Sequence, residues 1–147
     1  MTVSIGSDHA GFELKERIKE YLHEVGFDVM DVGTDSLESV DYPDYALLVS
    51  RSVSDSRAER GILICCTGIG MSIAANKVKG IRAALCTSVQ MAEMSRRHND
   101  ANVLVLGACH TDENLAREIA RAFFDTPPDD AERHRRRVQK IDEITER

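Results

Sequence analysis

No apolar run in the 147 residues approaches the roughly 18 that a membrane-spanning helix needs, and the N-terminus lacks the basic, apolar, small-residue pattern of a secretion signal. A basic excess is missing too. Asp and Glu number 25 against 19 Lys and Arg, a net charge of −6, which disfavours a surface built to coat nucleic-acid phosphates. There is no C-x-x-C pair or other zinc-collecting cysteine spacing, no internal repeat and no low-complexity stretch. These absences leave a cytoplasmic protein with neither membrane nor nucleic acid as partner. What is present is enough apolar content, 42% over a length close to one typical domain, to build a real core.

The four cysteines are Cys65, Cys66, Cys86 and Cys109. Neighbours such as Cys65 and Cys66 alternate across a strand, so a bond between them is geometrically poor. Reduced thiols are expected, with Cys86 and Cys109 behaving as small buried hydrophobes.

Short β-branched apolar runs alternate with longer segments of helical period, the pattern of a parallel sheet wrapped by helices. Strands are expected at Val3 to Gly6, Asp28 to Asp31, Gly61 to Cys65, Arg82 to Cys86 and Val103 to Leu106. Between the first two, Phe12, Leu14, Ile18, Tyr21, Leu22 and Val25 recur at three- and four-residue spacing, and Gly26 stops the helix. Further helices are expected at Asp44 to Asp55, Gly70 to Val78, Val89 to Arg97 and Glu113 to Phe124. Pro127 and Pro128 precede a last one, Asp129 to Arg147, too charged to bury a wide stripe alone.

Ligands of open parallel sheets bind beyond the carboxyl ends of the strands. Gly6-Ser7-Asp8-His9-Ala10-Gly11 follows the first strand with the glycine spacing of a phosphate loop. Phe12-Glu13 replaces the lysine and hydroxyl that nucleotide hydrolysis needs. Gly68-x-Gly70 opens like a dinucleotide fingerprint, yet Ile73 stands where its third glycine belongs. What remains is a small-residue turn whose backbone N–H groups suit an anion. Cys65, just before that turn, is placed to act as base or nucleophile. Asp8 and His9 add polar groups from the neighbouring loop. Arg133 and Arg137, at i and i+4, put two guanidinium forks on one helix face, as a phosphate or a merely solvated surface would allow. His98 precedes the fifth strand and by this map belongs to the opposite edge of the sheet.

Taken together the motifs resemble the ribose-5-phosphate isomerase B family, which also contains the galactose-6-phosphate isomerase subunits. They are the loop Gly6 to Gly11, Asp41-Tyr42-Pro43, the stretch from Gly61 through Cys65 to Lys77, Gly80 to Ala84, Ser95-Arg96-x-His98-Asn99-Asp100-Ala101-Asn102-Val103 and Arg133-His134-x-x-Arg137. The resemblance implies a Rossmann-like three-layer α/β/α sandwich with a five-stranded parallel sheet. It makes residues 1–147 one sugar-phosphate isomerase domain, in which 129–147 form an interface helix reaching a partner subunit. It implies a cofactor-free and metal-free interconversion of ribose 5-phosphate and ribulose 5-phosphate through a cis-enediolate. Cys65 matches the base, Thr67 and His98 the ring-opening residues, and Asp8 and Asn99 holders of sugar oxygens. Tyr42 flanks the sugar, and the turn Gly68, Ile69, Gly70, Met71 and Ser72 cradles the enediolate oxygen. His9 and the partner's Arg133 and Arg137 take the phosphate, so active sites are shared in a homodimer, which can pair into tetramers. The isolated protomer is then nearly inactive, and His98 belongs to the site despite its place on the map.

Three departures from the family pattern stand out. Cys66 replaces a usual glycine. Cys109 occupies the place of a phosphate-contacting arginine, with His110 beside it, and Ala131-Glu132 replaces a Gly-Gly pair. Other aldose phosphates, such as those of galactose, allose or a tetrose, and a non-catalytic phosphosugar-binding subunit are the alternatives. Thiol redox chemistry by Cys65-Cys66 lacks a resolving partner at any suggestive spacing.

Overall fold

Side chains alternating along the central strands are buried on both sides, which requires helices on both faces of the sheet. The computed structural model describes residues 1–144. In chain order they form β1 (Thr2–Ser7), α1 (Phe12–Glu24), β2 (Asp28–Asp31), α2 (Tyr42–Ser54), β3 (Arg60–Cys65), α3 (Ile69–Ala75), β4 (Ala83–Leu85), α4 (Val89–Asn99), β5 (Val103–Gly107), α5 (Glu113–Asp125) and α6 (Glu132–Ile144). The five strands make one parallel sheet in the order β2-β1-β3-β5-β4. This is the α/β sandwich that the alternation of strand and helix patterns predicts.

Ile62 and Ile64 of β3 face a core with Ile18 and Leu22 of α1, Ala92 of α4 and Phe123 of α5. Leu63 and Cys65 face the other side, against Val49 of α2 and Met71 of α3. The period-2 alternation of one strand thus divides the helices into two layers. Because the connections from β1 and β3 leave toward opposite edges of the sheet, the crevice between those strands is the place where such folds bind ligands.

Boundaries depart from expectation where side chains take over backbone bonds. Strand β4 begins at Ala83 because the Arg82 N–H donates to Asn102 Oδ1. Helix α3 stops at Ala75, since the Asn76 amide then pairs with both backbone groups of Ala83. Residues 129–131 are not helical: the Asp129 carboxylate accepts the Ala131 N–H and meets His134 Nδ1, and α6 starts only at Glu132. The expected continuation of that helix over 145–147 lies outside the described residues. Helix α6 lies against α4 of its own chain, tied down by Arg82 Nη1 donating to Asp142.

One buried charge needs its partner. Lys15 on α1 is 1% exposed, and its ammonium lies 2.5 Å from Asp31 and 3.0 Å from Glu16. Burial pushes the Asp31 carboxyl up, but hydrogen bonds from Lys15, Lys19 and the Gly33 N–H outweigh it and hold the group below its usual 3.8. The depressed value favours the fold at pH above the unfolded carboxyl's range, and that contribution fades as pH falls through the lower folded value. Asp31→Asn leaves Lys15 with Glu16 alone, so the expected loss is about 3 kcal/mol, the low end for breaking a buried pair. Thermal denaturation at neutral pH should register it as a drop of roughly 6–12 °C in Tm. The difference between variant and parent should narrow when the scan is repeated near pH 3.

Candidate active site

Strand β3 ends at Cys65, and the chain then turns sharply into α3. Gly68 makes this turn possible at φ +79, where an added Cβ would lie 2.5 Å from Leu85 Cδ1. The Gly68 N–H donates to Cys65 Sγ at 3.2 Å, and the Ile69 N–H donates to Thr67 Oγ1 at 3.2 Å. The first intrahelical bond of α3 is Ser72 N–H to Gly68 O, so the N–H groups of Gly70 and Met71 are not used by the helix itself. Thr67 and Ile69 are exposed, whereas the Met71 side chain is fully buried in the core. Of Met71, only the backbone can serve the site. Tyr42, at the start of α2, lays its ring where a Cβ on Gly70 would stand. The exposed phenol and the turn are therefore neighbours.

The loop after β1 closes the other wall. Asp8 is 6% exposed, and its Oδ1 accepts the N–H groups of Ala10 and Gly11 at 3.0 and 3.1 Å. That arrangement shapes the loop and leaves Oδ2 as the oxygen available to a ligand. An added Cβ on Gly11 would strike the Ile64 carbonyl, so the loop lies directly against β3. His9 Nδ1 accepts the Val40 N–H at 3.1 Å, which fixes the tautomer with the proton on Nε2. His9 Nε2 is thus a donor, as an anionic oxygen requires.

The remaining predicted residues are elsewhere. His98 and Asn99 end α4, at the amino end of β5, where the Asn102 carbonyl accepts the Gly61 N–H. Cys65 pairs in register with Gly107 and Gly61 with Val103, so four residue steps, about 13 Å along the strand, separate the two ends. One chain does not bring His98 to Cys65. Arg133 and Arg137 are exposed on α6, at the His98 end. The sequence map is right about the edge, and the resemblance places His98 in the site only if another chain supplies it.

Around His98 the structure adds residues not singled out from the sequence. The His98 and His134 rings lie 4.2 Å apart, and His134, 6% exposed, meets the Asp129 carboxylate through Nδ1 at 2.7 Å. The hydrogen bond from His134 holds the Asp129 carboxyl below its usual range. These three offer two imidazole nitrogens and one carboxylate oxygen within 4.8 Å of one another, the described residues best disposed to hold a metal ion. With Val138 and Asp142 they line a cavity of about 490 Å³. Buried Arg96 supports this corner by donating to the carbonyls of Thr126 and Ala101 and to Asp100, which caps α4 at φ 45. His134 and Arg96 stand inside the recognised motifs. Asp129 carries no sequence signal beyond its place after the proline pair.

The cysteines correct the expectation of four reduced thiols. Cys66 and Cys109 form a disulfide, with Cα atoms 4.9 Å apart, while Cys65 and Cys86 are free and buried. Cys109 is exposed and does not pack as a hydrophobe. The pairing follows from strand order: β5 lies beside β3, so the residues following Gly107 run alongside those following Cys65.

The sequence profile of the ribose/galactose isomerase family matches residues 3–141. The chain is 44% identical over 145 residues to ribose-5-phosphate isomerase B of Escherichia coli, covering 99% of this chain and 97% of that protein. It is 43% identical over 126 residues to D-erythrulose-4-phosphate isomerase of Pectobacterium atrosepticum, covering 85% and 83%. The solved structure of Clostridium thermocellum ribose-5-phosphate isomerase B superposes with a TM-score of 0.97 at 49% identity, covering 99% and 98% of the two chains.

Proposed function

The chain belongs to the ribose/galactose isomerase family, and from that premise we propose that it is a single-domain sugar-phosphate isomerase interconverting ribose 5-phosphate and ribulose 5-phosphate, with Cys65 as the base. The observation carrying this reading is the Cys65 sulfur at the end of β3, under the Gly68 N–H and beside a turn with unused amides. His98 and Thr67 move the proton that opens the sugar ring. Cys65 takes the proton from C2 of the open-chain aldehyde, negative charge passes to the oxygen on C1, and the N–H groups of Gly70 and Met71 receive it. The proton on the C2 hydroxyl then moves to the oxygen on C1, and return of the proton held by Cys65 to C1 leaves a ketone at C2. Asp8 and Asn99 hold hydroxyls, and Tyr42 covers the sugar.

The site is completed by a second copy of the chain. Tyr42, Leu47 and Leu48 on α2 and Ile69 and Ile73 on α3 are 38–59% exposed on the layer that carries Cys65, an apolar face suited to a partner. A two-fold dimer across this face sets His98, Asn99, Arg133 and Arg137 of the partner subunit opposite Cys65, with both arginines on the phosphate beside His9.

Ketose formation from a panel of ribose, allose, galactose and erythrose phosphates tests the assignment. The pentose phosphate is expected to give the highest kcat/KM. A preference for the tetrose or a hexose would move the chain to another substrate, and binding without turnover would make it a non-catalytic subunit. Arg137→Ala should raise KM by about tenfold or more with kcat far less affected, because it grips a group remote from the reacting carbons. An unchanged KM would remove Arg137 from the site.

A further inference from the structure

Cys66 and Cys109 have no part in the chemistry above, yet their bond crosses the active-site rim. Cys66 is the residue between Cys65 and Thr67, and Cys109 is the second residue after β5. The two segments already run together through backbone bonds, Ala108 N–H to Cys65 O at 2.8 Å and Cys109 N–H to Cys66 O at 2.9 Å. They are also packed without slack: a Cβ on Gly107 would come within 2.5 Å of the Thr67 carbonyl oxygen. Cys109 is exposed and Cys66 partly so, unlike the sealed Cys86. A covalent tie between exposed loop ends can be reached by a small reagent from solvent.

We propose that Cys66–Cys109 is a redox modification site, opened and closed by exchange with a low-molecular-weight thiol, and that its state sets the reactivity of the adjoining Cys65. A small thiolate attacks the exposed sulfur of Cys109. The Cys66–Cys109 bond breaks, Cys66 leaves as a thiolate, and a mixed disulfide remains on Cys109. A second small thiolate attacks the small-molecule sulfur of that adduct, releasing Cys109 as a thiolate and one small disulfide. Two electrons have passed from two small thiols to the protein, whose two thiolates take up protons. The reverse sequence, driven by the small disulfide, closes the bond. With the bond open, the backbone pairing keeps the fold, but the segment from Cys65 to Thr67 loses its covalent anchor. Only the consequence for turnover rests on the isomerase reading; the bond and the reactivity of Cys65 do not.

The full-length protein should be equilibrated in glutathione buffers from fully reduced to fully oxidised, acid-quenched and peptide-mapped without reductant. The expected result is a transition of the Cys66–Cys109 linked peptide. Across it, alkylation of Cys65 by iodoacetamide is faster in the open state by about threefold or more. Cys86, 1% exposed and with its thiol pushed up by burial to about 11, stays unmodified at pH 8 and serves as the internal control. In Cys109→Ser, and separately in Cys66→Ser, the dependence of Cys65 on the buffer should vanish. Four free thiols at every buffer composition would overturn the proposal, as would a Cys65 rate that ignores the bond. A chain that converts no sugar phosphate but shows the linked peptide and the rate change would sink the isomerase reading and leave this one standing.

Discussion

Cys65→Ala is expected to keep the fold and lower kcat by about 10²–10⁴-fold, the usual contribution of a positioned acid–base group. The side chain removed is one sulfur at the boundary of the α2/α3 core, 5% exposed, so the stability cost should stay near 1 kcal/mol. The loss should fall on kcat, because the proposed site spreads binding over the arginines, His9 and the turn amides, which this substitution leaves in place. A coupled ketose assay beside a thermal melt separates the two effects. Turnover within a few fold of the parent would remove the thiol from the mechanism, since no other described cysteine stands free at the end of β3.

A second result follows from the distance between the two halves of the proposed site. Cys65→Ala and His98→Ala should each be nearly inactive alone, and mixing them under conditions that exchange subunits should restore activity. In a mixed dimer one site receives Cys65 from the His98→Ala chain and His98 from the Cys65→Ala chain, and its twin receives neither. Random pairing makes about half the dimers mixed, so recovery should approach about a quarter of the parent rate. If Cys65 and His98 of one chain worked together, no mixture could recover anything. The roughly 13 Å that β5 places between the ends of the site makes the first outcome the expected one.

The fold was readable because its signals are local and repeated. The four-residue spacing of Leu14, Ile18 and Leu22 marks one buried helix face, and the apolar run Ile62 to Ile64 marks a strand covered on both sides. The boundaries at Arg82, Asn76 and Asp129 were not, since each is set by a side chain bonding to backbone or side chain near it in space rather than by period. Within the site, the loops after β1 and β3 could be placed from glycine spacing, and His98 could be set at the far edge from its position before β5. Three things needed coordinates: the Cys66–Cys109 bond, which depends on β5 lying beside β3; the burial of Met71, which leaves only its amide for the site; and the His134–Asp129 pair under His98. None is encoded in spacing along the chain.

The sheet order has a bearing on how the chain assembles. Strand β4 hydrogen-bonds to β5 and to no other described strand, although it precedes β5 by some twenty residues. Residues 83–85 therefore have no docking edge until 103–107 have settled against β3. During synthesis the nascent β1–β3 unit can form first, with α3 packing on α2 and β3, and β4 and α4 must wait unpaired until the fifth strand and α5 emerge. That interval is when the Cys65 loop stands open and when a chaperone or a wrong strand edge would find it.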